Sequence, residues 1–341
     1  MKTSLMRASG TRCRRPAAVW LAVWLCLFVA LGHTSRAMAA DWVLATGYPA
    51  ENFHTRDIVD FAADVRQRTG GALRIEVRPD GSFVAADSIR EAVREGRATA
   101  GEFLLASAGR DQPLLQVDAV PFLATSYHDA RVLWKASRKY VSERLAQQGM
   151  TVLFSVPWPP QGLYTAAPVS RMEDLRGRMF RTYNATTDAL ARSLGGRGVR
   201  LPQANIATAF ANGQVNAMFS SSATGVDTSA WKYSRQFYNL NAWIPKNIVV
   251  VNSRAFSSLD GALRKAVLGA AEVAETRGWQ ASEAAARRDA QRLENNGLKV
   301  LEPSPYLMVD LKRVGKKMMF DWSEHAGEDG ALLISDYYLS K

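Results

Sequence analysis

Apolar residues follow two periods in alternating blocks along this chain, one of two residues and one of about 3.6. Trp42-Val43-Leu44-Ala45-Thr46 reads as a first strand. After the loop from Gly47 to His54, with Thr55 as the expected helix cap, Ile58, Val59, Phe61, Ala62 and Val65 share one helical face, ended by Thr69-Gly70-Gly71. Leu73-Arg74-Ile75-Glu76-Val77 alternates as a half-buried strand does, and Pro79-Asp80-Gly81 supplies a turn. Ile89, Ala92 and Val93 mark a second helix, stopped at Gly96, and Ala100 to Leu105 a third strand. This β-α-β-α-β order predicts a parallel sheet covered by helices. Pro121-Phe122-Leu123 interrupts it, before a helix from about Asp129 to Gln148 and a strand from Thr151 to Val156.

Pro157-Trp158-Pro159-Pro160-Gln161-Gly162 is helix-proof and reads as a crossing into a second lobe. The same grammar then repeats. Strands are expected at Gly162 to Ala166, Arg178 to Tyr183, Val199 to Leu201 and Val215 to Phe219. Helices are expected from Ala185 and over Asn205 to Asn212. Lys246 to Asn252 is a β-branched strand expected to return to the first lobe. Leu259 to Asn296 holds no proline; as one helix it would span roughly 57 Å, enough to brace both lobes. Helical segments from Tyr306 to about Glu324 and from about Gly330 close the chain. The expected organisation is 1–39 signal peptide, 40–157 first lobe with a return strand at about 246–258, and 158–245 second lobe. A lobe-spanning helix at 259–296 and C-terminal helices at 297–341 complete it.

The N-terminal stretch has the composition of a secretory signal peptide. Lys2, Arg7, Arg12, Arg14 and Arg15 form a basic head, Ala17 to Leu31 is apolar, and Ala37-Met38-Ala39 offers small residues for cleavage. The apolar run is short for a membrane span. Arg14-Arg15 with Pro16 is a poor twin-arginine match, and Val23-Trp24-Leu25 a poor approach to a lipidated Cys26. The expected location is therefore the periplasm. Export changes the charge: from Asp41 onward there are 37 basic and 32 acidic residues, a net of +5 rather than +11. That balance, without a basic face interleaved with aromatics, argues against nucleic acid as a partner. Both cysteines, Cys13 and Cys26, lie in the signal peptide, so no disulfide or thiolate metal site is expected beyond it.

No G-x-S-x-G, H-E-x-x-H, Walker loop or dinucleotide fingerprint occurs. His33, His54, His128 and His325 stand far apart, and each reads as a surface or core histidine. No metal and no cofactor is expected. An exported two-lobed α/β chain without such motifs is better read as a binder than as an enzyme.

The most informative stretch is Asp174-Leu175-Arg176-Gly177-Arg178-Met179-Phe180-Arg181-Thr182-Tyr183-Asn184. It reads as a turn, a strand and a helix start, with Asn184 as N-cap. Arg181 falls near the C-terminal end of the strand, where ligands bind in open α/β sheets, and a guanidinium there fits a carboxylate bidentately. On spacing alone, a surface arginine is the better reading, since Arg176 and Arg178 are close by.

Asp174-Leu175-Arg176-Gly177 to Arg181 resembles the "DLKGxKIR" signature of solute-binding proteins of tripartite ATP-independent periplasmic (TRAP) transporters, the DctP-like family. Val199 to Ala217, Arg68-Thr69-Gly70-Gly71 and Pro121-Phe122-Leu123 resemble further family stretches in the same order. The resemblance implies an α/β, two-lobed, periplasmic-binding-protein (type II-like) fold with a long helix spanning both lobes. It also implies an organic acid clamped in the cleft and handed to membrane permease subunits, with a homodimer possible through the C-terminal helix. Arg181 falls on the family's carboxylate-binding arginine.

The departures matter. Asn216 replaces the usual aspartate, and Gly162-Leu163-Tyr164-Thr165 lacks the second arginine of many members. Glu102-Phe103-Leu104-Leu105 predicts an apolar cleft wall. Ser220 and Ser221 stand where relatives place a polar contact. The expected ligand is a monocarboxylate with an apolar or aromatic body, held by Arg181. Asn184, Gln161 and Ser220 would bond its oxygens, and Trp158, Phe103, Trp243 and Tyr183 would surround it. A periplasmic sensor subunit and an organic-acid isomerase or lyase remain alternatives.

Overall fold

The computed structural model describes residues 40–109 and 112–341, with Met1 and Thr3. The expected signal peptide otherwise lies outside the described residues. The first sheet takes β1 (Ala40–Ala45), β2 (Leu73–Arg78) and β3 (Ala100–Leu104), joined by helices α1 (Phe53–Arg68) and α2 (Ile89–Arg94). Helix α3 (Tyr127–Ala146) leads to β4 (Met150–Pro157). Then come β5 (Gln161–Thr165), β6 (Met179–Thr182), α4 (Ala185–Ser193), β7 (Arg197–Arg200), α5 (Ile206–Ala211), β8 (Ala217–Ser221), α6 (Ser222–Asp227) and β9 (Gln236–Tyr238). The chain returns through β10 (Lys246–Asn252), α7 (Ser253–Ser257), α8 (Gly261–Asn295), β11 (Lys299–Leu301) and α9 (Pro305–Ser340).

Two sheets result, ordered β2-β1-β3-β10-β4 and β11-β9-β5-β8-β6-β7. The first is parallel only in part. β1 runs parallel to β2 and β3, while β10 is antiparallel to both its neighbours. The β-α-β-α-β segment forms the expected parallel strands, and β10, entering from the second lobe, runs against them. Every residue of β10 is buried. Ile248 and Val250 face α2 and α3, while Val249 and Val251 face α1 and α8. This is the two-sided pattern of a central strand.

Helix α1 begins earlier than Thr55 suggests: the Asn52 side chain caps it by accepting the His54 N–H. Helix α8 is capped by Asp260 and runs 35 residues. It packs on α1 and β4 and also on α6 and β11. Its small residues allow this, since a Cβ at Gly278 would stand 2.4 Å from Val156 Cγ2. Helix α9 is interrupted at Gly327, whose φ of 67° is open to glycine. Strands β9 and β11 have no counterpart in the sequence reading.

The two sheets are joined where β4 leaves the first and β10 enters it. Trp158 donates its N–H to Pro245 O (2.8 Å), and Gln161 donates to Trp243 O (2.9 Å). Directly beyond, Gly162 lies flush against β9: a Cβ there would meet the Phe237 ring at 2.3 Å and Tyr238 O at 2.5 Å. Gly162→Ala is therefore expected to destabilise the fold by about 1–3 kcal/mol, read as a lower urea midpoint; an unchanged midpoint would contradict this packing.

Candidate functional site

Two buried side chains of opposite charge stand one in each sheet, Arg181 near the C-terminal end of β6 and Glu102 in the middle of β3. On β6 the alternation sends Phe180 into the core with Leu190 and Phe219, and so turns Arg181 to the other face. Arg181 is 6% exposed. Its Nε donates to Leu201 O at 3.0 Å, and its guanidinium carbon lies 4.8 Å from the centre of the Tyr183 ring. It makes no ion pair among the described residues. Burial lowers its pKa to about 10, against the opposing pull of Tyr183, Tyr48 and Tyr233. A desolvated guanidinium with unspent donors is a ready receptor for a carboxylate.

On β3, Glu102 is 1% exposed. It accepts from Thr46 Oγ1 (2.6 Å) and Asn247 Nδ2 (2.8 Å), and His54 Nδ1 lies 3.1 Å from its Oε1. Asn247 Oδ1 in turn accepts from Trp158 Nε1 at 2.9 Å and from the Tyr48 hydroxyl at 3.4 Å. Trp158, Phe53 and Tyr48 pack around the His54 ring, with centroids 4.3, 4.2 and 5.9 Å away. Burial pushes the Tyr48 phenol up, and it feels the charges of both Glu102 and Arg181.

The residues expected at the site separate into two groups. Tyr183 lies under Arg181. Asn184 spends its Oδ1 on capping α4, accepting the Thr187 N–H at 2.8 Å, while its buried Nδ2 has no partner among the described residues. Ser220 is 3% exposed and shares a strand face with Met218, the residue paired with Arg181. Trp158 sits at the crossing beside His54.

Three more of the expected residues are engaged within the protein. Gln161 is occupied within the protein: Nε2 donates to Pro159 O (2.9 Å), and Oε1 accepts from the Tyr183 hydroxyl (3.2 Å). Trp243 is 1% exposed, in the second-sheet core beside Phe219, because its own backbone is tied to Gln161. Phe103 points to the face opposite Glu102, into a core with Ile248, Leu115 and Trp134. The predicted apolar wall is thus led by Glu102. Strand alternation makes Glu102 and Phe103 diverge, but it does not say which of the two faces the site.

Sequence reading also missed Tyr48, His54, Asn247 and Glu102. The signal available for His54 and Tyr48 was their place just after β1, at the C-terminal edge of a parallel strand. The described residues contain no group of three or more His, Cys, Asp or Glu placed to hold a metal.

Residues 44–325 match the family described as bacterial extracellular solute-binding protein, family 7. A solute-binding protein of Albidiferax ferrireducens is 29% identical over 175 residues, which cover 51% of this chain and 52% of that relative. The chain thus spans about half the length of this curated relative. DctP7, a Bordetella pertussis extracytoplasmic solute receptor binding pyroglutamic acid, is 38% identical; the alignment covers 88% of this chain and 100% of that one, with a TM-score of 0.87. A marine-metagenome TRAP solute-binding protein specific for pyroglutamate, solved with co-purified pyroglutamate, is 35% identical over 89% of this chain and 99% of that one, with a TM-score of 0.87.

Proposed function

The chain belongs to bacterial extracellular solute-binding protein family 7, and on that premise we propose that it captures a small monocarboxylate of the pyroglutamate class and presents it to a TRAP-type permease. The observation that carries this is Arg181: a buried guanidinium with no carboxylate partner among the described residues. A charge out of water is costly unless paired, and a ligand carboxylate would supply the pair. Asn184 Nδ2 and the Ser220 hydroxyl are further donors for its oxygens. Tyr48, Phe53 and Trp158 supply apolar surface for a compact body. A role outside the cytoplasmic membrane follows from the family. Among the described residues no helix is long and apolar enough to cross a membrane. The permease subunits are partners in this reading, and so is a second copy of the chain, for which Tyr306, Val309 and Phe320 offer exposed apolar surface on α9.

Asn52 Nδ2 donates to Asp227 Oδ2 at 2.7 Å, joining the start of α1 to the end of α6, and Gln203 Nε2 donates to the same oxygen at 3.0 Å. The first of these bonds crosses from one lobe to the other; the second holds the Asp227 carboxylate in place within the second lobe. Asp227→Ala should weaken ligand binding by about 1.5–3 kcal/mol, and equal affinity in variant and wild type would exclude such a latch.

The direct test is thermal shift of the protein from about residue 40 against small carboxylates, pyroglutamate among them. Binding to the folded state alone adds about 2.7 kcal/mol at a hundredfold excess over Kd. A rise confined to small monocarboxylates supports the proposal; no response to any carboxylate would sink it.

A further inference from the structure

We infer that the second lobe carries a docking surface for an anionic phospholipid bilayer. The surface is an arginine cluster at the N-terminal ends of β6, β7 and β8, the opposite end of these strands from Arg181. This goes beyond the function proposed above and does not depend on which acid is bound.

The charge of the chain is concentrated there. With Arg181 set aside, residues 170–200 hold six arginines and three acids, a net of +3, while the chain from Asp41 onward carries only +5. Backbone pairing gathers three of these arginines. The Gly177 N–H donates to Gly195 O and the Arg197 N–H to Arg178 O, both at 2.9 Å. Arg176 lies along Gly195, where an added Cβ would stand 3.1 Å from its Cγ. Arg176, Arg178 and Arg197 are therefore neighbours on two adjoining turns, made tight by Gly177 and Gly195 at φ of 72° and 73°. Arg176 and Arg197 are exposed and Arg178 is half-buried.

The acids close by are spent elsewhere. Asp174 Oδ2 accepts the Ser170 and Arg171 N–H groups at 2.7 and 3.1 Å, and Arg178 Nε reaches only the Asp174 backbone carbonyl, at 2.7 Å. Asp188 pairs with Arg192 at 2.8 Å. Glu173, on the preceding turn, forms no ion pair with any of the three arginines, and none of the three has an ion pair among the described residues. The residue that enters β8 beside them is neutral: Asn216 is exposed, and its Oδ1 accepts the Met179 N–H at 3.1 Å.

Two observations favour a bilayer over a protein as the partner. Residues 170–217 expose no large apolar side chain, whereas a protein interface is centred on buried apolar and aromatic anchors. A plane of phosphates asks only for charge and donors, and guanidinium groups supply both. The cluster also lies away from Arg181, so a docked receptor keeps its ligand site uncovered.

The test is co-sedimentation of the protein from about residue 40 with two kinds of vesicle, phosphatidylcholine alone and phosphatidylcholine with about one-third phosphatidylglycerol. Each basic residue at an anionic surface contributes about fivefold in partitioning, so three give a preference of about a hundredfold for the anionic vesicles at low salt. Near molar salt the preference should vanish. Arg176→Gln, Arg178→Gln and Arg197→Gln together should abolish most of it. Asn216→Asp, which keeps the acceptor for Met179 and adds one negative charge, should lower it about fivefold. Arg66→Gln, Arg74→Gln and Lys265→Gln remove the same charge from exposed positions of the first lobe and should leave partitioning within about threefold of wild type. Circular dichroism checks the folding of all variants. Equal partitioning of the wild type onto the two vesicle types would overturn the inference and point instead to an acidic protein segment. Equal losses in the two triple variants would overturn it as well, because net charge and not this cluster would then account for the binding.

Discussion

Arg181→Ala weakens binding of the carboxylate ligand by about 2–5 kcal/mol, the range found on truncating one partner of a buried, hydrogen-bonded charge pair. That corresponds to roughly 30- to 4000-fold in Kd. The size follows from position: at 6% exposure the guanidinium is shielded from water, and among the described residues its one hydrogen bond is Nε to Leu201 O. The remaining donors have no other carboxylate to meet among the described residues. Arg181→Lys should recover only a small part of the loss, since an ammonium offers a point charge where a planar fork is needed. The unliganded variant should melt no lower than the unliganded wild type by more than a degree or two. Removing a desolvated charge offsets the lost contacts with Tyr183 and Leu201. Calorimetric titration and thermal melting of both variants read these effects. A Kd for Arg181→Ala within threefold of wild type would remove Arg181 from the site.

Lys246→Met destabilises the folded protein by about 3–5 kcal/mol, because it strands a buried carboxylate. Lys246 and Asp118 are both buried, with Nζ 3.4 Å from Oδ2. The Lys246 N–H also donates to Asp118 Oδ2 at 2.8 Å. Burial pushes the Asp118 carboxyl up and the Lys246 ammonium down, and each charge pulls the other back toward its ionised form. The pair stands at the first residue of β10, where the chain re-enters the first sheet, so it ties the segment before α3 to the crossing. The double variant Asp118→Asn with Lys246→Met should recover much of the loss, since no unpaired charge remains. Urea denaturation of the three proteins measures both terms. A single variant as stable as wild type, or a double variant as unstable as the single, would show that the charges are not coupled.

Much of this architecture can be read without coordinates, for identifiable reasons. The proline-free run before Asn296 admits one long helix, and α8 spans Gly261–Asn295. The consecutive β-branched residues Ile248 to Val251 fit a strand buried on two sides, and β10 is one. Family signatures locate Arg181 at a strand end, because that short stretch carries turn, strand and cap within a few residues. These are local properties, encoded in periodicity, capping and turn chemistry.

What stayed hidden depends on residues far apart in the chain. Glu102 meets Asn247 across 145 positions, and Asn52 meets Asp227 across 175. No local pattern records such pairings. Strands β9 and β11 are three residues each, too short to show a period, and exist because they complete the second sheet. By itself, then, the sequence determined the longer elements, the family and the arginine at a strand end. Only the tertiary structure decided that Arg181 is buried without a counter-charge among the described residues and that Glu102, not Phe103, faces the aromatics. Period-two alternation separates two neighbouring side chains onto opposite faces, but which face meets the other lobe depends on how the crossing strands dock the sheets.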